Sequence, residues 1–126
     1  MKNAINWFEI PVSDFGRAKK FYETILGYEM QEQNMGPLQM GFFPSETSSA
    51  AAGAIVKGEG YSPCDKGTLA YLNADYILDD VLNKIPTAGG KVVVPKTQVT
   101  EEIGHIAVFL DTEGNKVALH APNRKK

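Results

Sequence analysis

The chain predicts an α+β fold: two tandem β-α-β-β-β modules forming a strongly curved, eight-stranded mixed sheet around a cavity, with the helices outside. Three observations carry this expectation. The sequence says nearly the same thing twice: ValSerAsp (12–14) and AsnAlaAsp (73–75) each precede a helical stretch ending in glycine. Gly53 and Gly114, each ahead of a strand-like run, stand at the same separation as Asp14 and Asp75. Finally, 126 residues suffice for one compact core. Module 1 is expected over about residues 1–58, a linker over 59–67, module 2 over about 68–122 and a tail over 123–126.

The elements follow in order. Ile5–Val12 alternates, with Trp7, Glu9 and Pro11 on one face and Phe8, Ile10 and Val12 on the other, as a strand with one apolar face does. Ser13 suits an N-cap, with Asp14 in the first turn. Phe15, Ala18, Phe21, Tyr22, Ile25 and Leu26 then recur at helical spacing, and Gly27 closes the helix in the left-handed region. Tyr28–Gln33 and Leu38–Pro44 read as strands around an AsnMetGlyPro turn, and Ala51–Lys57 as the closing strand of small residues.

In module 2, Thr68–Ala74 reads as a strand and Asp75 as a helix cap. Leu78, Val81, Leu82 and Ile85 form the buried stripe of a helix that Pro86 ends or kinks. Lys91–Pro95, Thr97–Glu101, His105–Asp111 and Lys116–Ala121 read as strands, with ThrGluGlyAsn (112–115) as a tight turn.

Composition excludes several classes. A net charge of −2 and a pI near 5.7 leave no basic face for nucleic acid. No apolar run approaches the ~20 residues that span a bilayer, and MetLysAsnAlaIleAsnTrpPheGlu lacks the apolar core of a signal peptide. A single cysteine, Cys64, forms no internal disulfide, which fits a cytoplasmic location. It has no base or cationic setting in sequence to activate it.

The order IleAsnTrpPheGluIleProValSerAsp, then PheTyr and LeuGly, resembles the opening of vicinal oxygen chelate (VOC) proteins, the superfamily of glyoxalase I, bleomycin-resistance proteins and extradiol dioxygenases. ThrLeuAlaTyrLeuAsnAlaAsp, AlaGlyGlyLysValValValProLysThr and PheLeuAspThrGluGlyAsnLysValAlaLeuHis resemble its second half. In the last, ThrGlu stands where the family's turn usually has ProAsp. The resemblance covers essentially the whole chain. It implies paired β-α-β-β-β modules and commonly a homodimer.

The resemblance also implies, in the superfamily's enzymes, one divalent metal held by His and Glu from cavity-facing positions, acting as a Lewis acid. Those positions fall here on Trp7, on Leu69 (or Thr68), on Ala118 and near Lys57, which do not build a divalent-metal site. The expected cofactor is therefore none. The alternative is a displaced divalent site (Zn, Ni, Fe or Mn) using Glu9 and His120, each two residues along from a lost ligand and so on the same face. Glu9 and His120 are also the candidate catalytic acid–base pair. Trp7, Phe42, Leu69, Tyr71, His105 and Phe109 are the candidate lining for a flat, largely apolar small molecule.

The expected function is thus glyoxalase- or bleomycin-resistance-like binding of a small organic molecule between the modules of a homodimeric protein. Two alternatives stand beside it. One is a metal-dependent lyase, isomerase or dioxygenase with a rearranged site; the other is an interaction module with a vestigial pocket.

Overall fold

The computed structural model describes residues 5–44 and 52–123. The element order is β1 (Phe8–Pro11), α1 (Phe15–Leu26), β2 (Gln31–Met35), β3 (Leu38–Phe43), β4 (Gly53–Lys57), β5 (Tyr71–Asn73), α2 (Leu78–Ala88), β6 (Lys91–Thr100), β7 (Gly104–Leu110) and β8 (Lys116–Ala121). The eight strands form two four-stranded mixed sheets, ordered β1-β4-β3-β2 and β5-β8-β7-β6. In each, the first strand runs parallel to the last and the other pairings are antiparallel. The parallel step needs a crossover, which α1 and α2 supply.

The repeat is real, but its spacing drifts. Val12 N–H donates to Val56 O at 2.9 Å, and its counterpart Ala74 N–H donates to His120 O at 2.8 Å. Val56 and His120 are therefore further apart in sequence than Val12 and Ala74, because module 2 spends more residues between its helix and its last strand. Gly53 is not the partner of Gly114. Gly53 opens β4 beneath Phe8, where a Cβ would lie 2.6 Å from the Phe8 carbonyl oxygen. Gly114 instead supplies a φ of 88° to the turn before β8. Two unrelated backbone demands happen to share a sequence spacing.

Several local expectations shift for physical reasons. Asp14, not Ser13, caps α1: its backbone is extended and its carboxylate accepts the Arg17 N–H at 3.0 Å. Asp75 does not cap α2, which starts three residues later at Leu78 after a turn closed by Ile77 N–H to Ala74 O. Pro86 does not end α2. It sits in the last turn, and the helix stops at Gly89, whose φ is 108°. The two strands expected over 91–101 are one, β6, with register shifts on either side of Val94. Pro95 has no N–H to donate, and an edge strand absorbs that as a bulge rather than a break. Ala51, expected in β4, lies outside the described residues.

One core joins the two modules. All six residues of the expected α1 stripe are buried, and with Ile10, Val12 and Ile55 they meet Leu72, Val81, Ile85, Phe109 and Leu119 of module 2. Tyr22 and Phe109 are its largest joints: their rings lie 6.4 Å apart, and Phe21 stands 5.0 Å from Tyr22 and 5.9 Å from Phe109. Aromatic rings at such distances add to the gain from burial alone.

A polar tie reinforces that core. The turn between β7 and β8 (Asp111–Asn115) reaches across to module 1. The buried Tyr22 hydroxyl donates to Asp111 Oδ2 at 2.7 Å, and Asn115 Nδ2 donates to the Pro11 carbonyl at 2.7 Å. Asp111 Oδ1 meanwhile accepts the N–H groups of Glu113 and Asn115. Burial, then the nearby Asp111 charge, push the Tyr22 phenol well above its ordinary pKa, so it remains a donor. Glu113 accepts the Ser13 and Asp14 N–H groups at 2.9 and 2.7 Å, and Arg17 Nε–H at 2.7 Å. A carboxylate from module 2 thus sits at the N-terminus of α1, where the first N–H groups lack helical partners.

Candidate functional site

Alternation divides each sheet into a helix-side face and an open face. In module 1 Phe8, Ile10 and Val12 turn to the helices, and Glu9 turns away with the side chains of Phe42, Met40, Ala54 and Val56. Met40, Ala54 and Val56 form a second, small apolar cluster on this open face, covered by Leu38, Phe42 and Tyr61. Trp7, just before β1, stands edge-on to Phe42 with ring centroids 6.2 Å apart. Its indole N–H donates to Glu9 Oε2 at 3.2 Å, and the Tyr61 hydroxyl donates to Glu9 Oε1 at 2.7 Å. The hydrogen bond to Glu9 raises the Tyr61 phenol above its ordinary value.

In module 2 Tyr71 and His120 share the open face: Leu72, between Tyr71 and Asn73, enters the core, as do Leu119 and Ala121 on either side of His120. The His120 Nε2 lies 2.6 Å from the Ile103 carbonyl oxygen. Among the described residues no ion pair joins Glu9 to His120. The acid–base pair expected across the seam is therefore not assembled. Each group instead ties down its own module, Glu9 the segment carrying Tyr61 and His120 the turn before β7.

The remaining expected residues separate. Phe109 is not among the residues of the seam cavity described below; it is fully buried between β7 and α1, because its strand neighbours alternate and its parity faces the helices. His105 has the same parity and lies instead beside Asp79, Lys96 and Asn123, at a cleft near the end of β8. Leu69 precedes β5, half-buried in the connecting segment. Ala118 is opposite Tyr71, and by register its counterpart in module 1 is Ala54, opposite Glu9, rather than Lys57. Among the described residues no group of three His, Cys, Asp or Glu side chains is placed to hold a metal ion.

A cavity of about 750 Å³ opens at the seam between the modules. Module 1 contributes Phe8, Phe43 and Tyr28, and module 2 contributes Tyr71, Asn73 and Tyr76. Burial raises the Tyr28 phenol above its usual value, so it stays protonated and able to donate. Tyr76 has a φ of 71°, rare for a residue with a side chain, and presents its ring at the rim. Of the residues expected to line the pocket, only Tyr71 is among those the seam brings together. Phe8 and Phe43 face the core side of their strands, and alternation alone reads them as packing. Tyr61 lies in the Gly- and Pro-containing connecting segment, where its being an aromatic in a loop is the one signal that could have found it.

Paired β-α-β-β-β modules with a cavity at their seam define a class of glyoxalase-like folds. A family model described as "Bleomycin resistance protein-like N-terminal" matches residues 5–40. The proteins named "Putative glyoxylase CFP32" from Mycobacterium bovis and Mycobacterium tuberculosis are 26% identical over 125 residues, covering 94% of this chain and 46% of their own. The chain thus spans about half the length of these curated relatives. A glyoxalase/bleomycin resistance protein from Albidiferax ferrireducens T118 superposes with a TM-score of 0.69 at 17% identity, covering 96% of this chain and 100% of its own. TnmS3, an antibiotic binding protein from Streptomyces sp. CB03234, gives a TM-score of 0.62 at 23% identity over 97% of this chain and 98% of its own. The chain is thus similar to glyoxalase/bleomycin-resistance proteins, in sequence over residues 5–40 and in fold over nearly its whole length. Among the described residues no helix is long and apolar enough to cross a membrane.

Proposed function

We propose that this protein binds a small, flat, largely apolar organic molecule in the cavity between its modules, in the manner of bleomycin-resistance proteins and without a divalent metal. The observation that carries this reading is the seam cavity itself. Its volume of about 750 Å³ falls within the usual range of ligand sites, ~300–1,000 Å³. Both modules supply its walls, with rings on either side and the polar groups of Tyr28 and Asn73 to orient a ligand. The antibiotic binding of TnmS3 supports the same kind of occupant. The metal-ligand positions that the resemblance implies fall on Trp7, Leu69 (or Thr68), Ala118 and near Lys57, a donor set that does not fit a divalent ion.

A thermal-shift screen with planar aromatic compounds tests the reading. A bound compound raises the midpoint, by the equivalent of about 2.7 kcal/mol at a hundred times its Kd. Tyr71→Ala is expected to weaken any such compound about ten-fold. The reading fails if no compound shifts the midpoint, or if Tyr71→Ala leaves the shift unchanged. Stoichiometric metal in the purified protein, lost in both Glu9→Ala and His120→Ala, would instead favour the lyase or dioxygenase alternative.

The protein is further proposed to act as a homodimer. Val93 is 41%, Val94 37%, Val99 47% and Ile103 50% exposed, an apolar stretch along β6 and the turn after it that a second copy would cover. Sedimentation velocity is expected to return the mass of two chains. A single 13.8 kDa species at micromolar concentration would exclude the dimer.

A further inference from the structure

The open face of the first sheet carries a constellation that neither the seam cavity nor the main hydrophobic core uses. Trp7, Phe42 and Tyr61 surround one carboxylate, Glu9, and two of the three rings are held by it directly. We propose that Trp7, Glu9, Phe42 and Tyr61 form a recognition site for a small organic cation, a quaternary ammonium or protonated amine, with Glu9 as its counter-ion rather than as a catalytic group.

Charge is one half of the site. Glu9 is exposed, and no Lys, Arg or His stands within ion-pair distance of it among the described residues. Its two hydrogen bonds come from neutral donors, an indole N–H and a phenol O–H. An ionised carboxylate has about four acceptor sites, so two remain to face a ligand. The negative charge is therefore fixed in place but not neutralised.

The rings supply the other half. An indole is the best neutral partner for a cation, and cations are recognised across ring faces within ~6 Å. Trp7 is 41% exposed, so its surface is available rather than filled by packing. Its N–H bond to Glu9 and its edge-on contact with Phe42 restrict its rotation, so little ordering is left to be done on binding. Beneath, the buried Met40, Ala54 and Val56 give an apolar floor, which favours a methylated or alkylated cation over a hydrated metal ion. The spacing has a simple origin: Trp7 and Glu9 are two apart and so project to one face, and Ala54, opposite Glu9, is small enough to leave room above it.

Trp7 is the chain's single tryptophan, so its emission reports on this site alone. Choline and its uncharged carbon isostere, 3,3-dimethyl-1-butanol, are titrated at matched ionic strength into the wild type, Glu9→Gln and Phe42→Leu. Choline is expected to change the emission saturably and to bind at least ten-fold more tightly than the isostere. Glu9→Gln is expected to remove at least ten-fold of that affinity, and Phe42→Leu a few-fold, while both variants keep the wild-type thermal midpoint within a few degrees. Equal responses to the two compounds, no response to choline, or full affinity in Glu9→Gln would overturn the proposal. The seam-cavity reading stands or falls separately, since a planar neutral compound whose shift depends on Tyr71 supports it whatever choline does.

Discussion

Asp111→Ala is expected to lower folding stability by about 4 kcal/mol, or roughly 15 °C in Tm for a chain of this size. The carboxylate is buried and accepts from Tyr22 Oη, from Asn115 Nδ2 and from two backbone N–H groups. Truncation leaves the fully buried Tyr22 hydroxyl without its acceptor, and each such group costs on the order of 1–3 kcal/mol. It also frees Asn115, which ties Pro11 and, through its Oδ1, the Cys64 N–H to this turn. Tyr22→Phe, which removes one donor and leaves the others, is expected to cost only about 1 kcal/mol. Denaturant unfolding of both variants checks the ordering. A loss below about 1 kcal/mol in Asp111→Ala would show that the apolar core alone joins the modules.

Acid should dissolve the second cross-module link. Burial by itself would raise the Glu113 carboxyl. Arg17, the Asp14 N–H, Thr112 and the Ser13 N–H outweigh it and hold the pKa at about 2, below the ordinary 4.5. A carboxyl depressed in the folded state stabilises it above the unfolded pKa and loses that contribution as pH falls through the folded one. The stabilisation is therefore complete above about pH 5 and fades between 4.5 and 2. Its size, discounted for the half-exposed Arg17, is about 2 kcal/mol. Glu23, lowered by its bond from the Met30 N–H, titrates in the same direction. The stability difference between wild type and Glu113→Gln isolates the larger share. It is expected to be widest at neutral pH and to close toward zero as Glu113 protonates. A constant gap across the acid range would rule out Glu113 ionisation as the source.

Periodicity made much of the fold legible. The α1 stripe is buried residue for residue as its spacing predicts, and β1 divides its faces as its alternation does. These are properties of neighbours in sequence, where the geometry of helix and strand leaves little choice. What failed to be legible needs contacts between distant residues. Phe109 reads as a pocket aromatic until the Phe21 and Tyr22 rings are seen against it. Glu9 and His120 read as a pair until Tyr61 and Ile103 are seen to claim them. Glu113 reads as a turn residue, although its partners Ser13, Asp14 and Arg17 lie at the far end of the chain.

Local spacing and residue chemistry were enough to establish that there are two modules and which face of each helix is buried. It took the assembled fold to show that the repeat is spaced differently in its first strands and its last. The same holds for the division of the remaining surface into a seam cavity and a Trp7–Glu9–Tyr61 face. Register, ring stacking and shared carboxylates are settled by which surfaces meet, and one strand's alternation is silent about the strand it will face.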